Sequence, residues 1–146
     1  ELRPKRQVCW MADEGLNYTY AGKEKRAQAW HPLVEELKLS IEAHSGSRYN
    51  SCLLNFYPSG EGSMGWHRDN ERELVPQGSI ASLSLGAHRK FSFKHKDTRE
   101  KVDLFLASGD LLLMEGECQD YWYHALPKSK RVSEGRINLT FRQFRV

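Results

Sequence analysis

The sequence has few cysteines and no long hydrophobic run. Its three cysteines, Cys9, Cys52 and Cys118, form no Cys-x-x-Cys pair, which argues against a disulfide framework or a structural zinc knuckle and favours a reducing compartment. No apolar run approaches the roughly 20 residues that a membrane-spanning helix needs. The stretch from Glu1 to Arg6 also lacks the apolar segment of a signal peptide. We therefore expect a soluble intracellular protein without a membrane partner, cytoplasmic in a bacterium and nuclear in a eukaryote.

A large excess of charge of either sign is also missing. Lys and Arg number 22 against 19 for Asp and Glu, and a net charge of +3 is too small to indicate a polyanionic partner by itself. The basic residues are clustered, at Arg3/Lys5/Arg6, Lys23/Lys25/Arg26, Arg89 to Lys101 and Lys128/Lys130/Arg131. These clusters fit a nucleic-acid footprint, and they also fit an ordinary solvated surface.

The length of 146 residues predicts one compact domain, residues 1–146, rather than two with separate cores. Hydrophobic residues make up 39% of the chain and charged residues 28%, which supplies a core and excludes wholesale disorder.

One segment has the periodicity of a helix. After Pro32, the 3.6-residue period places on one face Leu33, Val34, Leu37, Ile41 and His44. Gly46 stands where such a helix would end.

The remainder of the chain has the pattern of short strands separated by turn residues. The predicted strands are Leu53 to Tyr57, Ile80 to Leu85, Lys90 to Lys94, Val102 to Leu106, Leu111 to Met114, Trp122 to His124 and Arg136 to Phe144. Many short strands at this spacing predict a mainly β fold, a sandwich or jelly roll.

The last predicted strand alternates sharply. One face carries Ile137, Leu139 and Phe141, and the other carries Arg136, Asn138, Thr140 and Arg142. If the polar face lines the inside of a sandwich, two guanidinium groups point inward and require an anion. If the strand lies at an edge, the same face is solvated.

Three residues could form a metal site. His67 and Asp69 are two residues apart, which on an extended strand places both side chains on one face. Such a pair is common by chance, but His124 on another predicted strand supplies a third ligand. Two histidines and one carboxylate form the facial triad of non-haem Fe(II) oxygenases, although the same ligands also accept Mn²⁺, Co²⁺ or Ni²⁺.

Three motifs in order give the chain a resemblance to a known family. They are Trp66-His67-Arg68-Asp69-Asn70-Glu71-Arg72-Glu73-Leu74, Ile80-Ala81-Ser82-Leu83-Ser84-Leu85-Gly86-Ala87, and Arg136-Ile137-Asn138-Leu139-Thr140-Phe141-Arg142. The chain resembles, from about Gly15 to the C-terminus, the DNA-repair branch of the AlkB family of Fe(II)- and 2-oxoglutarate-dependent dioxygenases. The resemblance implies a double-stranded β-helix, or jelly roll, with an N-terminal helix packed outside it.

The resemblance also implies ligands for iron and co-substrate. Fe(II) would be bound by His67, Asp69 and His124. The co-substrate 2-oxoglutarate would be contacted by Asn55 and Tyr57, and by Arg136, Asn138 and Arg142, with Arg136 on the far carboxylate. This assignment agrees with the inward polar face, because a dicarboxylate satisfies buried guanidinium groups. Molecular oxygen would be the second co-substrate.

For the substrate, the resemblance implies a nucleotide-recognition region in residues 1–26 ahead of a jelly-roll core in residues 50–146. Tyr20, with Tyr18 beside it, would stack on a flipped base, and Glu71 would favour a cationic base. Arg68 and Arg72 are candidates for phosphate contacts. Alternatively, the tyrosines are ordinary strand residues and Glu71 is a solvated loop acid.

The implied activity is oxidative demethylation of 1-methyladenine and 3-methylcytosine in DNA, coupled to decarboxylation of 2-oxoglutarate, with release of formaldehyde and succinate. This activity is direct reversal of alkylation damage, and we expect a monomer to perform it. Two alternatives remain open. The same chemistry could act on RNA or another substrate, or the chain could be a non-catalytic nucleic-acid-binding module.

Overall fold

The computed structural model describes residues 4–20 and 23–146, apart from the side chains of residues 18–20 and 25. In chain order the elements are β1 (Gln7–Ala12), β2 (Asn17–Tyr20), β3 (Lys23–Arg26), α1 (Pro32–Ser45), β4 (Ser51–Tyr57), β5 (Met64–His67), β6 (Ile80–Gly86), β7 (Arg89–His95), β8 (Lys101–Leu106), β9 (Leu111–Met114), α2 (Cys118–Tyr121), β10 (Trp122–Leu126) and β11 (Arg136–Arg142).

Two antiparallel sheets face each other. The larger has five strands in the order β1-β4-β11-β6-β9, and the smaller has four in the order β5-β10-β7-β8. Strands β2 and β3 pair with each other in a separate ladder. Ile80 and Met114 of the larger sheet pack against Phe93 of the smaller sheet in one buried cluster. The predicted jelly roll of mainly β class is therefore confirmed.

Strand β11 lies in the middle of the larger sheet, between β4 and β6. Leu139 and Phe141 are buried on its outer face, in the core beneath α1. Arg136, Asn138 and Thr140 are buried on its inner face and line a cavity between the sheets. The predicted inward polar face is confirmed, and the alternative of a solvated edge strand is wrong because β11 has a partner on both sides.

Helix α1 packs on the outer face of the larger sheet, as predicted. It begins where His31 Nδ1 accepts a hydrogen bond from the Leu33 N–H at 3.1 Å. It ends at Gly46, whose φ of 74° lies in the left-handed region that favours glycine. Val34 and Ile41 enter the core together with residues of β4, β6 and β11.

Two residues predicted for the apolar face of this helix are not buried. Leu33 is 65% exposed, and His44 is also exposed. The buried stripe follows Val34, Leu37 and Ile41 and is narrower than the predicted face. Leu33 and His44 therefore lie beyond its margins.

Strand β11 ends at Arg142 rather than at the predicted Phe144. The Asn50 side chain binds the backbone of Phe144 instead, since its Nδ2 donates to the Phe144 carbonyl at 2.9 Å and its Oδ1 accepts the Phe144 N–H at 2.8 Å. At Phe144, the Asn50 side chain thus makes the two hydrogen bonds that the backbone of a neighbouring strand would otherwise make.

All three cysteines are free thiols, as their spacing predicted. Cys52 is buried beneath α1, where burial raises the pKa of its thiol. Within residues 4–20 and 23–146, no helix is long and apolar enough to cross a membrane.

We predict that Phe141→Ala destabilises the protein by about 3–5 kcal/mol, because a large aromatic side chain is lost from a fully buried site. Denaturant unfolding followed by circular dichroism measures the change. Leu33→Ala is the control, and at its exposed position we expect a change within about 0.5 kcal/mol. Equal effects of the two substitutions would contradict the core assigned here.

Candidate metal centre and co-substrate pocket

The three predicted metal ligands come together between the two sheets. His67 ends β5, His124 lies on β10, and the two residues are opposite each other in the antiparallel pairing of these strands. Asp69 lies in the loop after β5 and not on the extended strand that the two-residue spacing predicted. Other side chains therefore have to hold Asp69 beside the histidines.

The side-chain atoms of these residues surround one point. Asp69 Oδ1 lies 3.8 Å from His67 Nε2 and 4.0 Å from His124 Nε2. One ligand atom from each residue lies within 4.8 Å of the other two. Two imidazoles and a carboxylate suit Fe(II) and leave coordination positions open. The group could hold a metal ion.

Both histidines can present the Nε2 lone pair to that point. His67 Nδ1 lies 2.7 Å from the Gly65 carbonyl, so an Nδ1–H donates there and the lone pair is left on Nε2. Burial lowers the pKa of His124 to about 4, against the opposing effect of Asp69. His124 is therefore neutral at pH 7, which is the form that binds metal.

Asp69 is fixed from two sides. Its Oδ2 accepts hydrogen bonds from Arg142 Nε at 3.1 Å and Nη2 at 2.7 Å, and its backbone N–H donates to Gln119 Oε1 at 2.8 Å. Burial raises the pKa of Asp69, but the Arg142 guanidinium and the two histidines outweigh it and hold that pKa below its usual value. The carboxylate is ionised, with Oδ1 directed at the histidines.

The role of Gln119 was not predicted from the sequence. This residue is buried on α2, and its Nε2 lies 3.4 Å from Met114 Sδ while its Oε1 binds the Asp69 backbone. A single glutamine that acts on a residue 50 positions away leaves no spacing or periodicity that could have identified it.

The predicted co-substrate residues line the same cavity as the metal group. Arg136 pairs with Tyr57 across β11 and β4, and Asn138 pairs with Asn55. Asn138 Nδ2 donates to Ser82 Oγ at 2.7 Å. Cross-strand partners point to the same face, so the register places these side chains on one wall.

The surroundings of Arg136 indicate whether a carboxylate fits against this wall of the cavity. It is 2% exposed, and its Nη2 donates to Ser84 Oγ at 2.9 Å. Among the residues that the structure describes, nothing accepts a hydrogen bond from its buried Nε. Burial lowers the pKa of Arg136 to about 10, which leaves the group charged at pH 7. A buried cation that, over the described residues, lacks an acidic partner and lies beside a cavity fits an anionic ligand.

The structure describes the side chains of some of the predicted substrate residues but not of all. Tyr18 and Tyr20 belong to β2, but their side chains lie outside the described part of the chain. Glu71 and Arg72 are exposed in the loop after Asp69. Their contacts with a base or a phosphate stay predictions.

Arg68 is engaged within the protein. Its Nη1 donates to the Asp120 carbonyl at 2.8 Å, and its guanidinium carbon lies 5.2 Å from the centroid of the Tyr123 ring. A phosphate contact by Arg68 also stays a prediction.

An antiparallel jelly roll that encloses two histidines and a carboxylate beside a buried arginine is the architecture of an iron-dependent oxygenase that takes an acidic co-substrate. The sequence profile of the 2OG-Fe(II) oxygenase superfamily matches residues 2–142, and the chain belongs to this superfamily. Membership implies Fe(II), 2-oxoglutarate and O₂.

Curated relatives are similar over most of the chain. "DNA oxidative demethylase ALKBH2" of Homo sapiens is 41% identical over 148 residues, covering 96% of this chain and 56% of that protein. "Alpha-ketoglutarate-dependent dioxygenase alkB homolog 3" of Homo sapiens is 38% identical over 147 residues, covering 94% and 51%. The chain thus spans about half the length of the curated relatives it matches. The predicted resemblance to the AlkB family is confirmed.

A solved structure described as "The structure of OsALKBH1" matches with a TM-score of 0.70 at 22% identity, covering 96% of this chain and 79% of that chain. This likeness supports the jelly-roll fold alone.

Proposed function

We propose that this chain is an Fe(II)- and 2-oxoglutarate-dependent dioxygenase that demethylates N-alkylated bases in DNA, 1-methyladenine and 3-methylcytosine among them. The observation that carries the proposal is one cavity that contains both the His67, Asp69 and His124 group and the buried guanidinium of Arg136. The names of the curated relatives support DNA demethylation as the reaction.

His67 Nε2, Asp69 Oδ1 and His124 Nε2 would hold the iron. When bound together with 2-oxoglutarate and O₂, the iron supplies the oxidation that turns the co-substrate into succinate and CO₂ and releases the methyl group as formaldehyde. Arg142 keeps Asp69 ionised and oriented. The Gly65 carbonyl keeps the His67 proton on Nδ1.

The far carboxylate of 2-oxoglutarate would be bound by Arg136, with Tyr57 and Asn55 on the neighbouring strand. Asn138 and Arg142 extend this wall toward the metal group. A carboxylate beside Arg136 would gain charge-assisted hydrogen bonds from a buried guanidinium. The chain's main contribution to catalysis is the placement of the co-substrate and the methyl group next to the metal.

On the substrate side, residues 1–26 would form the nucleotide-recognition region of a single dioxygenase domain, with the jelly-roll core in residues 50–146. Tyr20, with Tyr18 beside it, would stack on the flipped base, and the Glu71 carboxylate would favour a cationic lesion over a neutral base. Arg68 and Arg72 would contact phosphates. The active unit would be a monomer.

The proposed activity is tested by measuring the demethylated oligonucleotide and succinate in the same reaction. Protein loaded anaerobically with Fe(II) and 2-oxoglutarate is exposed to air with a single-stranded DNA oligonucleotide that carries 1-methyladenine. We expect loss of the methyl mass with a matching amount of succinate. Controls are the unmethylated oligonucleotide and a reaction without 2-oxoglutarate.

Two other outcomes would lead to a different proposed function. Succinate without demethylation of DNA would favour RNA or another substrate, which the methylated RNA of the same sequence would then distinguish. Neither product from folded, iron-loaded protein would contradict the enzyme proposal and favour a non-catalytic nucleic-acid-binding module.

A further inference from the structure

Arg89 is a buried arginine that the predicted site does not include. The sequence places it in a basic cluster that fits a solvated surface, yet the side chain is 2% exposed. Its guanidinium binds three backbone carbonyls. Nη1 donates to Ser59 at 3.3 Å, and Nη2 donates to Gly62 at 2.8 Å and Pro127 at 2.9 Å. These acceptors lie in two loops, residues 58–63 after β4 and residues 127–135 after β10, which we call the rim loops.

The charge of Arg89 has no acidic partner. Among the ion pairs of the described residues, none includes Arg89 or Arg136. The Nε of Arg89 is buried and, over the described residues, lacks a hydrogen-bond acceptor. Carbonyl dipoles offset part of the desolvation of a guanidinium, but they do not neutralise it.

The guanidinium groups of Arg89 and Arg136 both lie near the ring of Tyr57. Their guanidinium carbons lie 5.8 Å and 5.9 Å from the centroid of the Tyr57 ring. Burial lowers the pKa of both arginines, and the charge of Arg89 lowers that of Arg136 further. Two like charges thus lie close to one tyrosine ring, and they repel each other.

Within the described part of the chain, no carboxylate forms an ion pair with either of these arginines. Asp69 is the one acidic residue among the described residues that line the cavity, and Arg142 already binds it. Arg89 itself lies behind Tyr57 and does not line the cavity. An anion bound next to Arg136 would relieve the repulsion between both arginines.

We propose that Arg89 is a positioning residue for 2-oxoglutarate, a second cation that acts on the far carboxylate through Tyr57 and the rim loops rather than by contact. The inference rests on the proposed function, because it concerns the same co-substrate. Arg89 would then increase the preference of the pocket for a 2-oxo acid with two carboxylates over one with a single carboxylate.

The experiment compares two acids that differ at the far end only. Protein loaded with Mn²⁺ under anaerobic conditions is titrated in a calorimeter with 2-oxoglutarate and with 2-oxopentanoate, in which a methyl group replaces the far carboxylate. Arg89→Gln removes the charge and keeps an N–H donor for the carbonyls. Arg89→Lys keeps the charge, and Arg48→Met removes an exposed arginine outside both rim loops as the control.

We expect Arg89→Gln to weaken 2-oxoglutarate binding about tenfold and to leave 2-oxopentanoate within about twofold of the wild type. Arg89→Lys restores part of the preference, and Arg48→Met leaves the binding of both acids unchanged. Circular dichroism and thermal unfolding establish that each variant is folded. If Arg89→Gln does not fold, Arg89→Lys alone decides, since retained selectivity supports the charge and lost selectivity overturns it.

Equal weakening of both acids by Arg89→Gln would show a purely structural role and overturn the inference, and so would unchanged binding of 2-oxoglutarate. Failure of the wild-type, Mn²⁺-loaded protein to bind 2-oxoglutarate would instead overturn the proposed function itself. The two failures are therefore distinguishable in one set of titrations.

Discussion

Replacing His67 by alanine abolishes turnover while the protein stays folded. One of the three proposed ligands is lost, and without a correctly held metal we expect the rate of succinate and formaldehyde release to fall at least about 10³-fold. The fold survives because His67 stands at the end of β5, with 32% of its side chain exposed. The Asp69 and Arg142 pair is untouched.

Succinate release, Mn²⁺ binding and the far-ultraviolet circular dichroism spectrum measure these effects together. His44→Ala is the matched control, since it removes an exposed imidazole from α1. Full turnover by the His67→Ala protein would refute the metal centre proposed here. Loss of the folded spectrum would show that His67 has a larger structural role than its position indicates.

Replacing Arg136 by methionine should weaken 2-oxoglutarate binding strongly and leave the ligand-free protein as stable as the wild type, or more so. Loss of one partner of a buried charge pair costs about 2–5 kcal/mol, so we expect the dissociation constant to rise at least about 30-fold. In the ligand-free protein, the same change removes a buried cation without an acidic partner, which is unfavourable there.

Calorimetric titration of the Mn²⁺-loaded protein measures the first effect, and denaturant unfolding of the metal-free protein measures the second. Arg48→Met removes an exposed arginine as the control and should change neither quantity. Wild-type affinity in the Arg136→Met protein would exclude Arg136 as the carboxylate ligand. A large drop in stability would show that the contacts of Arg136 with Ser84 and Tyr57 outweigh the cost of burying its charge.

Strand β11 was predictable because its apolar and polar residues alternate with the two-residue period of a strand. The helix was predictable from its 3.6-residue period, although Leu33 and His44 were assigned to the wrong face. Strand β5 gave no such signal. It consists of four residues that include Gly65, and its pairing with β10 is a long-range contact. Short segments of this kind are strands only in their tertiary context.

The candidate site was predictable to the extent that its residues belong to recognisable motifs. His67, Asp69, His124 and Arg136 meet in one cavity, as expected. The side chains that support them were not predictable. Gln119 and Arg89 act through a backbone N–H and backbone carbonyls, which have no sequence pattern of their own. Arg89 lies in a cluster of basic residues, and composition does not distinguish a buried arginine from exposed ones. Its burial could therefore not be predicted.

Strand β11 is hydrogen-bonded along both edges. Amide hydrogens in such a strand exchange with solvent only when much of the domain opens, so we expect slow exchange in the strand that carries Arg136 and Asn138. The floor of the cavity is then preorganised, and a ligand that binds there loses little of its affinity to the ordering of the protein.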